Sequence, residues 1–161
     1  MVSARWVDTP LDRPRWRLTG NVRLAPRLLL GAEANPAAGE FTPLATLLLV
    51  AEDGRRPAVF LGTSSDRIGS PEGAQSYYLT VARRLPWAPV APYATLNYSE
   101  WDAGWNVPCG AHVDLGRGLS LTPMYDGRRA HLLAGWTGAR AAVQFVWAWY
   151  ERAGVSVSAG F

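Results

Sequence analysis

The sequence predicts an all-β protein: one antiparallel up-and-down barrel of about twelve strands, with ten strands as the fallback. The first observation is that apolar and polar residues alternate with a period of two in most segments. The second is the composition, because 16 Gly, 12 Pro, 8 Trp, 6 Tyr and 4 Phe favour strands and turns. The third is that no segment of ten or more residues carries a helical apolar stripe. Closing such a sheet removes the two unpaired edges that a long open sheet would leave.

Length and composition predict a single domain over 1–161. Hydrophobic residues make up 48% of the chain and charged residues 18%, against about 25% charged residues in an average protein. Disorder is therefore excluded, because disordered chains are poor in apolar residues and highly charged. The net charge is only +3 and every one of the 16 basic residues is arginine. A nucleic-acid partner is not expected, since it would need a larger basic surface.

The N-terminal part of the chain predicts four strands. The second of them alternates most clearly, with Trp16, Leu18 and Val22 opposite Arg15 and Arg17. The third and fourth are apolar on both faces, so their faces are less sharply defined by the sequence. These four strands are expected at 2–8, 14–23, 27–34 and 42–51.

The middle and C-terminal parts predict eight further strands by the same alternation. Val143, Phe145 and Trp147 fall on one face, with Gln144 on the other. The link 151–154 has the length of a hairpin turn and ends in Gly154. These strands are expected at 57–64, 75–84, 91–100, 109–115, 119–126, 130–137, 140–150 and 153–161.

The predicted links differ between the two ends of the barrel. The longest polar links, 35–40, 65–74 and 101–108, all fall at one end, and the other end receives mostly tight turns such as 52–55 and 115–118. With an even number of strands, both termini lie at the tight-turn end. This asymmetry is typical of transmembrane β-barrels.

Aromatic residues concentrate near both ends, which suggests two girdles at the levels where a membrane meets water. The outer faces between them carry Leu, Val and Ala, with no arginine in mid-strand. The loop-end girdle is expected to hold Trp6, Trp16, Phe41, Tyr77, Tyr98, Trp101, Trp105, Tyr125, Trp149 and Tyr150; the opposite girdle is expected to hold Trp87, Tyr93, Trp136 and Phe161.

The last strand ends in Phe161 and carries apolar residues at every second position before it: Val155, Val157 and Ala159. In this feature the chain resembles the bacterial outer-membrane β-barrel proteins. The resemblance implies an outer-membrane location with lipid as the surrounding partner. It also implies that these four residues form the signal read by the barrel-assembly machinery. The segment from Met1 does not resemble a signal peptide, so we expect a fragment, a mature form or a misassigned start.

The opposite, polar face of the strands predicts a polar lumen. We expect its groups either to fill a plugged interior, with arginines and carboxylates paired, or to line a small water-filled path. The role would then be structural or porin-like, with passive passage of a small polar solute, and the arginines would favour anions. The lumen candidates are Arg15, Arg17, Asn21, Arg27, Glu33, Thr95, Asn97, His112 and Asp114.

Two alternatives remain open. A soluble barrel binding a small apolar ligand would turn Val143, Phe145 and Trp147 inward, although the neutral polar faces fit a solvated exterior poorly. An outer-membrane lipid hydrolase could use His112, Asp114 and Ser120, but no nucleophile motif accompanies them.

We therefore expect no enzyme activity and no cofactor. A metal site at the two histidines, His112 and His131, is not expected because no further ligand has a useful spacing. The segment 126–129 is expected to form a tight turn with solvated charges.

Overall fold

A computed structural model describes residues 1–160, and it confirms the predicted fold class: a closed antiparallel barrel of twelve strands with almost no helix. Within these residues the elements are β1 (Val2–Val7), α1 (Asp12–Arg15), β2 (Trp16–Ala25), β3 (Leu28–Asn35), β4 (Glu40–Val50), β5 (Ala58–Ser65), β6 (Gln75–Ala82), β7 (Val90–Ser99), β8 (Gly104–Asn106), β9 (Cys109–Gly116), β10 (Leu119–Tyr125), β11 (Ala130–Thr137), β12 (Ala141–Ala148) and β13 (Arg152–Ala159).

The barrel is an up-and-down meander that closes on itself. Each long strand pairs with its neighbour in sequence, β6 pairs with β7, and β1 pairs with both β2 and β13. The three-residue β8 pairs only with the end of β7, where β7 leaves β9. It is therefore an appendage of the loop end and not one of the twelve barrel strands.

The predicted strand boundaries agree with the observed ones to within two residues. Two short elements were not predicted, α1 and β8. Residues 14 and 15 belong to α1 instead of β2, because this segment turns into the barrel mouth, where Arg13 and Pro14 are buried. No helix in the described part of the chain is long and apolar enough to cross a membrane.

The strand registers place the two faces as the alternation predicted. Phe145 is 47% exposed, Trp147 41% and Val157 48%. Their neighbour Gln144 pairs with Ser156 on the inner face. The soluble alternative placed Val143, Phe145 and Trp147 in an internal cavity. These side chains point outward instead, so that part of the alternative is wrong.

The interior is mainly polar, and the described buried residues include few apolar ones. Val7, Val146 and Ala148 form a small buried cluster next to Ile68 and Trp149. By contrast, most of the buried side chains are hydrophilic: Thr9, Arg13, Glu33, Asn35, Thr42, Ser65, Asp66, Ser70, Ser76, Thr95, Asn97, Ser99 and His131.

Two tyrosines lie across glycines of neighbouring strands inside the barrel. A Cβ added to Gly62 would lie 2.5 Å from the hydroxyl of Tyr78, and one added to Gly110 would lie 2.7 Å from the hydroxyl of Tyr93. Only glycine leaves room for the rings at these positions. The inward position of Tyr93 also corrects its expected place in the outer girdle.

Candidate functional site

A network of buried ion pairs fills one side of the loop end. Arg13 of α1 donates from Nε to Glu40 Oε2 at 2.7 Å, with the two side chains only 8% and 6% exposed. Its Nη1 also donates to the hydroxyl of Ser70. The backbone amide of Gly73 donates to Glu40 Oε1 at 2.7 Å. One carboxylate thus connects the β1–β2 segment to the β5–β6 loop.

Glu33 forms a second centre of this network from the inner face of β3. It is 2% exposed, pairs with the guanidinium of Arg17, and accepts a hydrogen bond from Ser65 Oγ at 2.8 Å. Asn35 donates to both Glu33 and Glu40 at 3.1 Å. The space left among these groups is about 10 Å³, about the size of one water molecule.

Arg67 lies at the boundary between the loops and the interior. It donates to Asp102 at 2.7–2.8 Å, lies near Asp66, and stacks over the ring of Trp101 at 4.3 Å. Ser99 Oγ donates to Asp66 Oδ2 at 2.5 Å. The hydrogen bond from Arg67 is the main reason why the pKa of Asp102 lies below its ordinary value.

Asp126 organises the opposite side of the mouth. Its Oδ1 accepts the backbone amides of Arg128 and Arg129, both at 2.8 Å, and its Oδ2 accepts His131 Nε2 at 2.7 Å. His131 Nδ1 accepts the backbone amide of Trp149 at 3.3 Å, so Nε2 is the nitrogen that carries the proton. Burial raises the pKa of Asp126, but these hydrogen bonds outweigh it and leave the pKa below the ordinary value. The carboxylate belongs to a tight turn as expected, but it is largely buried instead of solvated.

Two spaces meet at Arg67 and Asp126. An inner chamber of about 280 Å³ lies below them, lined by hydroxyl and amide side chains that include Tyr78, Thr95 and Asn97. A pocket of about 370 Å³ lies above them, at the loop-end mouth. Arg67 and Asp126 line both spaces. These two side chains therefore separate the mouth from the interior.

The structure turns most of the predicted lumen residues inward. Arg17 and Glu33 form an ion pair, and Thr95 and Asn97 are buried beside the chamber. The side chain of Asn21 lies across Gly31 inside the barrel. His112 and Asp114 share the inner face through their pairing with Ala91 and Ser120.

Two of the predicted lumen residues are not on an inner strand face. Arg15 ends α1 and donates to the carbonyl of Thr9 at 3.0 Å. Arg27 is exposed in the turn between β2 and β3. Both were placed in the lumen because the period-two pattern was extended past the ends of the strands.

Three of the four residues expected to form the assembly signal line one face of β13. Val155 and Val157 are exposed on the outside, and Ala159 continues the same face. Phe161 lies outside the described residues. Trp101 and Trp149 are not part of an outer girdle, since both line the mouth pocket.

In the described part of the chain, no hydrogen bond joins His112, Asp114 and Ser120 to one another. His112 Nδ1 lies 3.2 Å from Thr122 Oγ1, whereas Asp114 Oδ1 accepts the backbone amide of Gly116 at 2.8 Å. All three candidate residues of a hydrolase, including Ser120, face the lumen, away from the outer apolar surface. Over residues 1–160, no group of three His, Cys, Asp or Glu side chains is placed to hold a metal ion.

Sequence reasoning missed several residues of the network. Arg5 lines the small space beside Arg17 and Glu33, and the same alternation that placed Arg17 inside could have placed Arg5 there. Arg13, Arg67 and Asp126 lie in connections, where period-two alternation carries no information about direction.

No protein-family model matches the chain, and no curated protein or solved structure is significantly similar to it.

Proposed function

We propose that this chain is a bacterial outer-membrane β-barrel protein with a structural or porin-like, passive role. The observation that carries the proposal is the continuous apolar outer surface. On the strands it includes Leu18, Val22, Leu47, Leu61, Leu79, Val81, Leu96, Val143, Phe145, Val155 and Val157, each between 37% and 56% exposed. Exposed apolar surface of this extent marks a contact with another apolar phase or partner.

The dimensions of the surface fit lipid. A strand of eight residues, such as β12, rises about 3.3 Å per residue, and at a tilt of about 40° it spans roughly 20 Å. The apolar band of outer-membrane barrels is about 25 Å tall. Outer-face aromatics such as Trp16, Trp105 and Trp136 lie near strand ends and suit the edges of such a band.

The ends of the barrel support the same proposal. The longest connections of the described chain, 8–15, 66–74 and 100–108, lie at one mouth. The other mouth has the two-residue turns 26–27 and 117–118, but also the seven-residue connections 51–57 and 83–89. The difference between the ends is therefore smaller than the sequence predicted, and the expected long link 35–40 is only the four-residue turn 36–39. The barrel-assembly machinery would read the outer face of β13 during biogenesis.

The interior determines how much passive passage the barrel allows. The ion pairs around Glu33 and Glu40 plug one side, which favours a structural role. A route for a small polar solute would run from the mouth pocket past Arg67 into the inner chamber. In planar bilayers, Arg67→Ala should then raise the conductance and Arg17→Ala should reduce its preference for anions. Conductance that stays at baseline for the wild type and both variants excludes the porin-like role and leaves the structural one.

The membrane location is tested by collisional quenching. Refolding into vesicles of brominated phospholipid should quench the tryptophan fluorescence strongly relative to unbrominated vesicles, because Trp147 and Trp136 are on the outer face. Trp147→Phe should lose part of that quenching, whereas Trp101→Phe, which alters the mouth pocket, should retain it. A monodisperse, folded protein in buffer without detergent or lipid would refute the proposal.

A further inference from the structure

The mouth pocket lies between five connections at the loop end, and a larger space of about 620 Å³ lies among the connections at the opposite end, between 52–54 and 83–88. The volume of the mouth pocket, about 370 Å³, is at the lower end of the range for small-molecule sites. Leu11, Ile68 and Trp149 provide its apolar floor, and Arg128, Arg129 and Arg152 lie around it.

Two of these guanidinium groups are available to a ligand. Arg128 is paired with Asp102, but Arg129 and Arg152 form no ion pair with any side chain of residues 1–160. Two carboxylates line the pocket, Asp126 and Glu151. The oxygens of Asp126 are already hydrogen-bonded to His131 and to two backbone amides, whereas Glu151 forms no ion pair with any side chain of residues 1–160. Two unpaired guanidinium groups against one unpaired carboxylate leave a net positive charge at the rim.

The same hydrogen bonds fix the positions of the pocket walls. Asp126 holds the turn that carries Arg128 and Arg129, and through His131 it also holds the amide of Trp149. The guanidinium carbon of Arg129 lies 5.2 Å from the centre of the Trp149 ring. A cationic group and an aromatic floor are thus set side by side before any ligand binds, which lowers the entropic cost of binding.

The turn that carries Trp149 is strained. Trp149 and Tyr150 both have a φ of 57°, a left-handed conformation that two-residue hairpin turns usually assign to Asn and Gly. Bulky residues persist in such conformations only where the surrounding structure fixes them, and they cluster at functional sites. In this conformation the Trp149 ring lies against Gly69 and not on the outer surface. A Cβ built on Gly69 would lie 3.3 Å from the Cζ2 atom of that ring.

We infer that the mouth pocket binds a small organic anion, with an apolar ring or short alkyl body on Leu11, Ile68 and Trp149 and one phosphate or carboxylate group between Arg129 and Arg152. The site adds a binding activity to a barrel whose proposed role is passive. It does not depend on that role, because the pocket is formed by loops and is the same whatever surrounds the outer face.

Calorimetric titration of the folded barrel in an uncharged detergent tests the inference, with phenyl phosphate as the probe and inorganic phosphate beside it. Phenyl phosphate should bind saturably and at least tenfold more tightly than inorganic phosphate, because only the former uses the floor. Arg129→Gln combined with Arg152→Gln should weaken phenyl phosphate binding at least tenfold. Arg140→Gln, an equally exposed arginine at the opposite end, is the matched control and should leave it unchanged.

A second variant separates the floor from the charge. Leu11→Ser, in an exposed loop position, should weaken phenyl phosphate severalfold and leave inorganic phosphate unaffected. The inference is overturned by absence of saturable phenyl phosphate binding, by equal affinity for the two phosphates, or by an equal loss in Arg140→Gln. Each of these results leaves the membrane proposal untouched, since brominated-lipid quenching measures that separately.

Discussion

Replacing Phe145 by arginine distinguishes a lipid-facing from a water-facing outer surface. Phe145 lies in the middle of β12, is 47% exposed, and pairs with Ala134 and Val155 on neighbouring strands. An arginine at the mid-depth of a bilayer costs about 2–4 kcal/mol, and near the interface about 0–1 kcal/mol. On a surface that faces water, the same change is worth about 0.5 kcal/mol or less.

Leu24→Arg is the matched control for this prediction. Leu24 belongs to the outer apolar surface and is 60% exposed, but it lies next to the last residue of β2. Phe145→Arg should therefore lower the folding equilibrium constant roughly 30- to 900-fold, while Leu24→Arg changes it by less than about fivefold. Urea titration of the barrel in phospholipid vesicles, followed by tryptophan fluorescence, measures both values. Equal losses of folding free energy in the two variants would show that the position along the barrel axis does not matter. This result would refute a lipid-facing outer surface.

Three further predictions concern the interior. Glu40→Gln should destabilise the barrel by about 3 kcal/mol in urea titrations, because it leaves the buried guanidinium of Arg13 without its counter-charge. An unchanged urea midpoint would mean that this ion pair does not stabilise the interior. Gly62→Ala should cost about 1–3 kcal/mol because the new Cβ would clash with the carbonyl oxygen of Ala45 and lie 2.5 Å from the hydroxyl of Tyr78. Gly20→Ala, with open space around it, should be nearly neutral. Equal effects of the two changes would argue against close packing around Gly62. Hydrogen bonds hold the pKa of Asp126 below its ordinary value in the folded barrel. Its contribution to stability is therefore present above about pH 4 and is lost as the pH falls through the folded pKa. The urea midpoint of the wild type should fall as the pH is lowered below about 4, and Asp126→Asn should reduce this fall. If the variant shows the same fall, a group other than Asp126 causes it.

The strands and their faces could be predicted because alternation persisted through most of their length. Phe145 and Gln144, or Val157 and Ser156, take opposite faces by geometry alone once a strand is assigned. Closure of the barrel then follows from the need to pair both edges. Arg17 and Glu33 were both expected in the lumen, but no specific ion pair of the interior was predicted.

The mouth could not be predicted because its contacts join segments far apart in sequence. Arg13 and Glu40 are 27 residues apart, and Arg67 and Asp102 are 35 apart. Trp149 continues the outer-face alternation of Trp147, but the chain turns at that residue with a positive φ and sends the ring inward. Local patterns specify which face of a strand a residue occupies, and they contain no comparable information about where a connection folds.

The small number of buried apolar residues has a consequence for how the chain leaves its unfolded state. Among the described residues, the buried hydrophobic ones are Val7, Ala58, Ala74, Val146 and Ala148, too few for collapse in water to offset the entropy of ordering the backbone. The larger apolar area is on the exterior, where only a second component can remove it from water. An amphiphile that covers this area acts thermodynamically as a ligand of the native state, so its concentration enters the folding equilibrium by mass action.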